Sequence, residues 1–568
     1  MASGCLRETI SLRTVDEEAV GDLAAALNVS AELATILVAR GLTTFEQCKR
    51  FFRPDLSHFH DPFLFADMHR AVDRIRAAID RNELITVYGD YDVDGISATA
   101  VVIRALRSLG ARADYYLPNR LTEGYGLSMA GVEQVLQRGT TLMITVDCGI
   151  GSCREVARAA AGGCDVIVTD HHEPHGELPR AGAVCNPKLG GYPDPDLAGV
   201  GVALKLCQGI AAAAGLGERF WHGYLDLVAL GTAADIVPLT GENRVIVHAG
   251  FGRMSATTNP GLRELIEQQG LAGRPLSTGQ VVFQLAPCIN AAGRLGDPAR
   301  GAKLLLTDDP AEAALYAREL REANGERRAL DSWVQEQAIA RVLDECDPAR
   351  EHALVAADPG WHVGVIGISA SKLVERFYRP TFLFGGAEEG LVRGSGRSVP
   401  GLHLLEALNE CADVLESYGG HAAAAGATIR LDKVAEFRGR FAAAVAGRVS
   451  LEELVPHIRA DAAVTMAGLT PKFYRIIKQM EPFGPGNMRP VLLCRGLRNR
   501  YPPRVVGKGH LKLAVSGDGL VMDAIGFNLG ERLDELVRAP SFALAFALDE
   551  NEWNGKVSLQ MKVKGIAV

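Results

Sequence analysis

Three short apolar runs that each end in acidic or imidazole side chains constrain this chain most. Leu84-Ile85-Thr86-Val87-Tyr88 breaks at Gly89 and runs into Asp90-Tyr91-Asp92-Val93-Asp94-Gly95. Leu142-Met143-Ile144-Thr145-Val146 runs into Asp147-Cys148-Gly149, and Val166-Ile167-Val168-Thr169 into Asp170-His171-His172. Helical periodicity follows the first run, from Ile96 to Leu109. Strands alternating with helices imply parallel β-α-β units and a doubly wound sheet. Continuously apolar strands suit a sheet buried on both faces. A fourth apolar segment, Leu225 to Ala234, also ends in a carboxylate, Asp235. In open α/β sheets ligands bind beyond the carboxyl ends of the strands, so all four groups are expected to converge on one edge.

Three carboxylates within Asp90–Asp94 repel one another unless a cation lies among them. A solvated acidic loop and a calcium EF-hand are the competing readings. The EF-hand needs a bidentate Glu at its twelfth position, here Val101, and a helix in front of the loop, where this chain has a strand. His171 and His175 have the spacing of a zinc-binding helix, but Pro174 between them opposes that helix. Oxygen ligands with one or two imidazoles suit Mn²⁺ or Mg²⁺ rather than structural zinc. The expectation is a site for two divalent cations.

A length of 568 residues implies about three or four domains. Hydrophobic residues at 48% and charged residues at 23% exclude a disordered or collagen-like chain. No stretch reaches the roughly 18 uncharged apolar residues of a membrane span. The N-terminal Met-Ala-Ser-Gly-Cys-Leu-Arg-Glu lacks the apolar run of a secretory signal. Eleven cysteines without a CxxC pair read as reduced thiols in a cytoplasmic protein. The net charge of −8 hides a split. Residues 456–568 hold 16 Lys+Arg against 10 Asp+Glu, whereas the first 455 hold 44 against 58. An acidic body with a basic tail fits a metal-binding enzyme joined to a polyanion-binding module.

Residues 1–60 read as a helical lead-in, with a helix start at Asn28-Val29-Ser30-Ala31-Glu32-Leu33 and a stop at Gly41. Residues 61–307 form the expected parallel-sheet domain, 308–346 a connecting helix and 347–455 a second α/β domain. In residues 456–568, short runs such as Pro490-Val491-Leu492-Leu493-Cys494 alternate with Gly and Pro, which suggests a small β-barrel. Ten Lys and Arg between Lys472 and Lys512 face one acid, Glu481, with Phe473, Tyr474, Phe483 and Tyr501 interleaved. A cationic groove with aromatic platforms is what single strands need; a soluble basic face with core aromatics is the alternative. Arg393-Gly394-Ser395-Gly396-Arg397-Ser398 reads as a phosphate cradle, in which flexible glycines let backbone N–H groups approach and Arg supplies a bidentate fork.

Asp90-Tyr91-Asp92-Val93-Asp94-Gly95, Asp147-Cys148-Gly149, Asp170-His171-His172 and Gly231-Thr232-Ala233-Ala234-Asp235 resemble the four successive motifs of DHH phosphoesterases. Gly419-Gly420-His421-Ala422-Ala423-Ala424-Ala425-Gly426 resembles the GGHxxAAG signature of the associated DHHA1 domain. Tyr88-Gly89-Asp90-Tyr91-Asp92, Asn290-Ala291-Ala292-Gly293-Arg294 and Glu481-Pro482-Phe483-Gly484-Pro485-Gly486-Asn487 are similar to the RecJ family of single-strand-specific exonucleases. The resemblance covers roughly residues 60–560. It implies an α/β protein: a parallel-sheet DHH catalytic domain and an α/β DHHA1 domain joined by a long helix, then a C-terminal OB-fold barrel. The implied activity is metal-dependent hydrolysis of single-stranded DNA from 5′ to 3′, in DNA repair and recombination.

By the same resemblance Asp94, Asp147, His171 and Asp235 hold one Mn²⁺ or Mg²⁺. Asp90, Asp92 and a bridging Asp147 hold the other. Asp90 stands in for a His that many members place where this chain has Tyr88. Two cations about 4 Å apart activate a shared water and offset the charge developing on a phosphodiester. Asp147 and His172 are the expected catalytic residues, with His172 either contacting the scissile phosphate or orienting a neighbour. The resemblance gives Ser395 and Arg397 a terminal 5′-phosphate, with Arg120 closing from the other lobe, and makes Arg294 and His421 substrate contacts. A surface salt bridge is the alternative for each arginine, and a tight helix start packed on a sheet for Gly419-Gly420-His421. The expected partners are single-stranded DNA, a single-strand-binding protein and a helicase, with no membrane. A small-substrate DHH enzyme would share the metals without needing the basic module. A silent replication scaffold should have lost ligands, and none is lost here. Editing domains of aminoacyl-tRNA synthetases share the DHHA1 signature but lack the four acidic motifs.

Overall fold

The computed structural model describes residues 8–120, 122–295, 297–553 and 555–568. They group into two compact units. One holds Arg50–Arg327 and Glu481–Met488; the other holds the described residues up to Lys49 with Arg328–Met480 and Arg489–Val568.

The first unit is built on a five-stranded sheet in the order Ala113–Tyr116, Ile85–Gly89, Leu142–Val146, Asp165–Thr169, Ala183–Cys185. Every pairing is parallel. Of the three strands with neighbours on both sides, Ile85–Gly89 and Leu142–Val146 are buried at every residue and Asp165–Thr169 at all but Asp165, as their apolar runs require. The helix Val93–Ser108 follows the first of these strands and is buried along nearly its whole length. It packs against two further apolar helices, Gly199–Ala213 and Leu225–Ala234. The fourth acid-terminated segment is therefore a helix, and Asp235 leaves its C-terminus rather than a strand end. A ten-residue run that is apolar but for Asp226 and Thr232 is equally compatible with a buried helix and a buried strand.

In the second unit a sheet runs Ser417–Gly420, Ala424–Arg430, Leu391–Arg397, Thr381–Glu388, Leu354–Ala357. Only its last pair is parallel. Its core stacks Phe382, Phe384, Phe437 and Phe441. A closed five-stranded barrel follows: Leu492–Asn499, Phe542–Trp553, Lys556–Ala567, Leu520–Gly526 and His510–Gly517. The last strand returns to the first through Arg498↔Ser516 and Asn499↔Val515. The lead-in holds the expected helix, Ala31–Val38, preceded by Ser30, and ahead of it Glu17–Leu27, which the sequence did not single out. It also holds a strand that composition concealed: Thr9–Leu12 pairs in parallel with His457–Ala460. The expected connecting helix is one element of 36 residues, Pro310–Glu345. Its residues to Arg327 group with the first unit and those from Arg328 with the second. Among the described residues no single helix is long and apolar enough to cross a membrane.

Candidate metal centre and strand-binding residues

Strand register brings the acids to one level. Gly89 pairs with Val146 and Val146 with Thr169. The ladder continues one residue further, with Asp147 N–H donating to Thr169 C=O and Asp170 N–H to Cys185 C=O, both at 3.1 Å. Asp92 caps the next helix, one oxygen accepting Asp94 N–H at 3.0 Å and Gly95 N–H at 3.1 Å. Asp94 reaches across to the start of the Gly199–Ala213 helix. Its two oxygens accept Gly199 N–H at 2.8 Å and Val200 N–H at 2.9 Å, where unpaired helix amides favour a carboxylate. The approach is too close for a side chain: a Cβ on Gly199 would lie 2.5 Å from an Asp147 oxygen. Asp147 itself is left-handed, with φ 61°, a conformation that costs a non-glycine residue roughly 1–3 kcal/mol and persists only where the surroundings impose it.

Three overlapping donor sets result: Asp90, Asp92 and Asp147; Asp94, His171 and Asp235; and Asp147, His171 and His172. Within each, the ligand atoms lie within 4.8 Å of one another. All six expected metal ligands are thus brought together. His171 Nε2 stands 3.1 Å from Asp147 Oδ1 and 3.7 Å from Asp235 Oδ2. One oxygen each of Asp90, Asp147 and Asp235 is buried with no hydrogen-bond partner, a costly state for a carboxylate unless a cation meets it. Burial raises the Asp90, Asp92, Asp94 and Asp147 carboxyls above the ordinary range, and their neighbours add to it. Burial, and then the Asp92 charge, push Asp90 up to about 8. Asp94 is raised by burial and then by Asp235, and Asp147 by burial and then by Asp94 and Asp92. Oxygen-rich donors with one or two imidazoles fit a hard divalent ion.

Asp170 is different. Burial alone would raise it, but His172 and backbone N–H groups hold its carboxyl below the usual range. Its Oδ1 takes His172 Nδ1 at 2.8 Å and the His171 N–H at 2.7 Å; its Oδ2 takes the Ile150 N–H at 2.9 Å. This buttress role does not follow from motif spacing. Tyr88 points away from the acids: its hydroxyl accepts Ser128 N–H at 3.2 Å, and its ring packs 4.9 Å from Tyr116. That position offers no ligand, and Asp90 lies in the donor set instead.

The acids floor a cleft of about 310 Å³ that Tyr91, Arg120, Tyr125, Ile236, Asn290 and Arg294 also line. Arg120 and Arg294 thus stand over the centre, with the Arg120 guanidinium 5.2 Å from the Tyr91 ring centroid. Tyr125 and Ile236 carry no motif signal that singles them out, although glycines flank Tyr125 in the sequence; Asn290 opens the motif that ends in Arg294, but the motif gives it no role of its own.

In the second unit the expected phosphate cradle is corrected. The segment is an interior strand, Leu391–Arg397, paired on both sides with its neighbours. Its backbone N–H groups belong to the sheet. Its glycines serve packing, because a Cβ on Gly394 or Gly396 would lie 2.3 Å from the Phe384 or Phe382 ring. Ser395 and Arg397 share the other face. Arg397 donates to Ser395 Oγ at 2.9 Å, and a Cβ on Gly367 would lie 2.7 Å from the Arg397 guanidinium. His421 stands exposed between the paired strands Ser417–Gly420 and Ala424–Arg430, so a helix start there is excluded. Of the expected aromatic platforms, Phe473 and Tyr474 are buried in the helix Pro471–Gln479, and Phe483 groups with the first unit. Tyr501 is 62% exposed, and Phe527, which the sequence did not single out, is 53% exposed. Lys478, Arg489 and Lys512 pair with Glu550, Asp549 and Asp523. Lys472, Arg475, Arg495, Arg498, Arg500, Arg504 and Lys508 are exposed.

Three family models match the chain: the DHH family, N-terminal domain, over residues 84–232, the DHHA1 domain over 350–447 and the RecJ OB domain over 460–565. The chain is 38% identical over 557 residues to the single-stranded-DNA-specific exonuclease RecJ of Bacillus subtilis (strain 168), an alignment covering 97% of this chain and 70% of that one. Its fold matches RecJ of Thermus thermophilus in complex with Mn²⁺ at a TM-score of 0.84 and 32% identity, over 99% of this chain and 79% of that one. The Mg²⁺ complex of the same protein matches at 0.79 and 30%, over 99% and 78%. With the three domains matched in order and the identity sustained along nearly its whole length, the chain belongs to the RecJ family of single-stranded-DNA-specific exonucleases.

Proposed function

We propose that this chain is a divalent-metal-dependent exonuclease that hydrolyses single-stranded DNA from 5′ to 3′, in DNA repair and recombination. The observation that carries the reading is the place of Asp147, which groups with Asp90 and Asp92 on one side and with His171 on the other, and whose buried Oδ1 accepts no hydrogen bond. Asp94, Asp147, His171 and Asp235 would hold one Mn²⁺ or Mg²⁺, and Asp90, Asp92 and Asp147 the other. When bound, the cations supply a polarised water and offset charge on the phosphodiester. His172, its Nδ1 committed to Asp170, presents Nε2 to the scissile phosphate. Arg120 and Arg294 place positive charge along the cleft, where the strand's phosphates would lie.

We assign residues 61–307 to catalysis, 308–346 to the connecting helix, 347–455 to the DHHA1 domain and 456–568 to strand binding, after a lead-in of 1–60. Ser395 and Arg397 receive the terminal 5′-phosphate through side chains alone, and His421 contacts the strand. The exposed cations of the barrel with Tyr501 suit a single strand, because cationic side chains follow phosphates and exposed rings stack on bases of any sequence. A small-substrate phosphodiesterase has no use for that surface. A single-strand-binding protein and a helicase are the partners that would supply such strands, in the cytoplasm. The test is digestion of end-labelled single-stranded DNA, duplex DNA and RNA with Mn²⁺, Mg²⁺ or chelator. The reading expects the 5′ label to leave single-stranded DNA first, only with metal. First release of the 3′ label, or equal activity with chelator, would contradict it.

A further inference from the structure

The segment between Tyr116 and the helix Met129–Gln137 is held at both ends. One Glu123 oxygen accepts the Asn119 N–H at 2.8 Å; the other accepts the Tyr116 hydroxyl at 2.9 Å and the Ser128 hydroxyl at 2.6 Å. Tyr88 fastens the far end, accepting the Ser128 N–H at 3.2 Å and donating to the Gly126 C=O at 3.4 Å. Between these anchors Gly124 and Gly126 are left-handed, with φ 85° and 76°, which glycine adopts at little steric cost. The backbone therefore turns on either side of Tyr125, whose side chain lines the acid cleft.

The Tyr125 hydroxyl stands 2.9 Å from His172 Nε2, 3.0 Å from its Nδ1 and 3.4 Å from the Asp147 carbonyl oxygen. The two rings meet edge to face at 5.3 Å. Because His172 Nδ1 is committed to Asp170, Nε2 is the nitrogen that the hydroxyl braces, and it remains the one that meets the phosphate. The His172 side chain is 42% exposed, so one bond to Asp170 leaves the ring free to swing about that contact. A second contact fixes its angle.

We propose that Tyr125 is a positioning residue for His172, completing an Asp170–His172–Tyr125 chain whose far end Tyr88 and Glu123 hold in place. The proposal rests on the reading of His172 as the side chain that meets the scissile phosphate. It also accounts for Tyr88, because where many DHH enzymes place a ligand, this chain places the anchor of the Tyr125 loop.

Tyr125→Phe keeps the ring and removes only the hydroxyl. The measurement is single-turnover hydrolysis of a 5′-phosphorylated single strand, with enzyme in excess and Mn²⁺ saturating. The rate constant of the chemical step is expected to fall roughly ten- to hundredfold. Half-saturation by strand and Mn²⁺ affinity should each move less than about twofold. In a His172→Ala background the same substitution should cost less than about twofold more, because the residue it acts through is gone. Tyr88→Phe, which loosens the anchor, should show a smaller loss that also disappears in that background. An unchanged rate for Tyr125→Phe, equal losses in both backgrounds or a fall in Mn²⁺ affinity would each overturn the proposal. An unsubstituted protein that releases no nucleotide, or a His172→Ala protein at full rate, would overturn the underlying reading as well, and both results appear before Tyr125 is altered.

Discussion

Asp147 meets three demands at one position. It is left-handed, its Oδ1 is buried with no hydrogen bond and His171 Nε2 3.1 Å away, and it joins two donor sets. The first costs stability in any state, and the other two weaken the fold when no cation is present. A carboxyl whose folded pKa lies above its unfolded value destabilises the native state once pH exceeds the unfolded value, about 3.9 for Asp. Burial and the neighbouring acids raise Asp147 in this way. Asp147→Asn is therefore expected to abolish hydrolysis yet stabilise the chelated protein, by about 1–2 kcal/mol at neutral pH. The gain should shrink as pH falls toward about 4. Thermal melts with chelator across that pH range check this; a lower Tm for the variant at neutral pH would count against it. The acids themselves were legible in the sequence, because like charges packed so closely announce a cation. Their buttress was not: Asp170 is one more acid in the motif until the structure shows four hydrogen bonds from N–H groups converging on it.

Elements sharing one local pattern fell to opposite readings. The sheet of the first unit was readable because a strand buried on both faces leaves an unbroken apolar run, and register then carried Asp90, Asp147 and Asp170 to one edge. The Leu225–Ala234 helix has the same composition for a different reason, burial among helices, and periodicity cannot separate the two. Gly394 and Gly396 suggested a flexible loop, whereas they make room for Phe384 and Phe382. Gly396→Ala tests which role governs. A packing role predicts a loss of about 1–3 kcal/mol from forcing the ring aside, read as a lower Tm. A cradle role predicts an unchanged Tm with weaker binding of 5′-phosphorylated strands. The buried pair Phe473 and Tyr474 shows the same ambiguity on the Pro471–Gln479 helix: aromatic rings among cations read as platforms until packing places them inside.

Across the whole molecule, charge and chemistry are divided along the chain. The acids that would hold metal lie in the first unit, and the exposed cations of the barrel in the second. Strand affinity should thus depend on salt through the barrel. Arg495→Gln and Arg504→Gln are each expected to lower the slope of log affinity against log salt by about 0.7, the value for one phosphate contact on a single strand. Titrations of a fluorescent single strand at several salt concentrations measure that slope, and an unchanged slope would remove these residues from the interface. Electron paramagnetic resonance of the Mn²⁺-loaded protein reads out whether Asp147 would be shared by two cations, the arrangement proposed to drive hydrolysis. Two bound ions with a spin-coupled spectrum are expected in the unsubstituted protein. In Asp147→Ala the coupling should vanish, with hydrolysis falling below a few per cent, as removal of the shared ligand of a two-ion site requires. A single uncoupled ion in the active unsubstituted protein, or coupling and activity that survive in the variant, would contradict it.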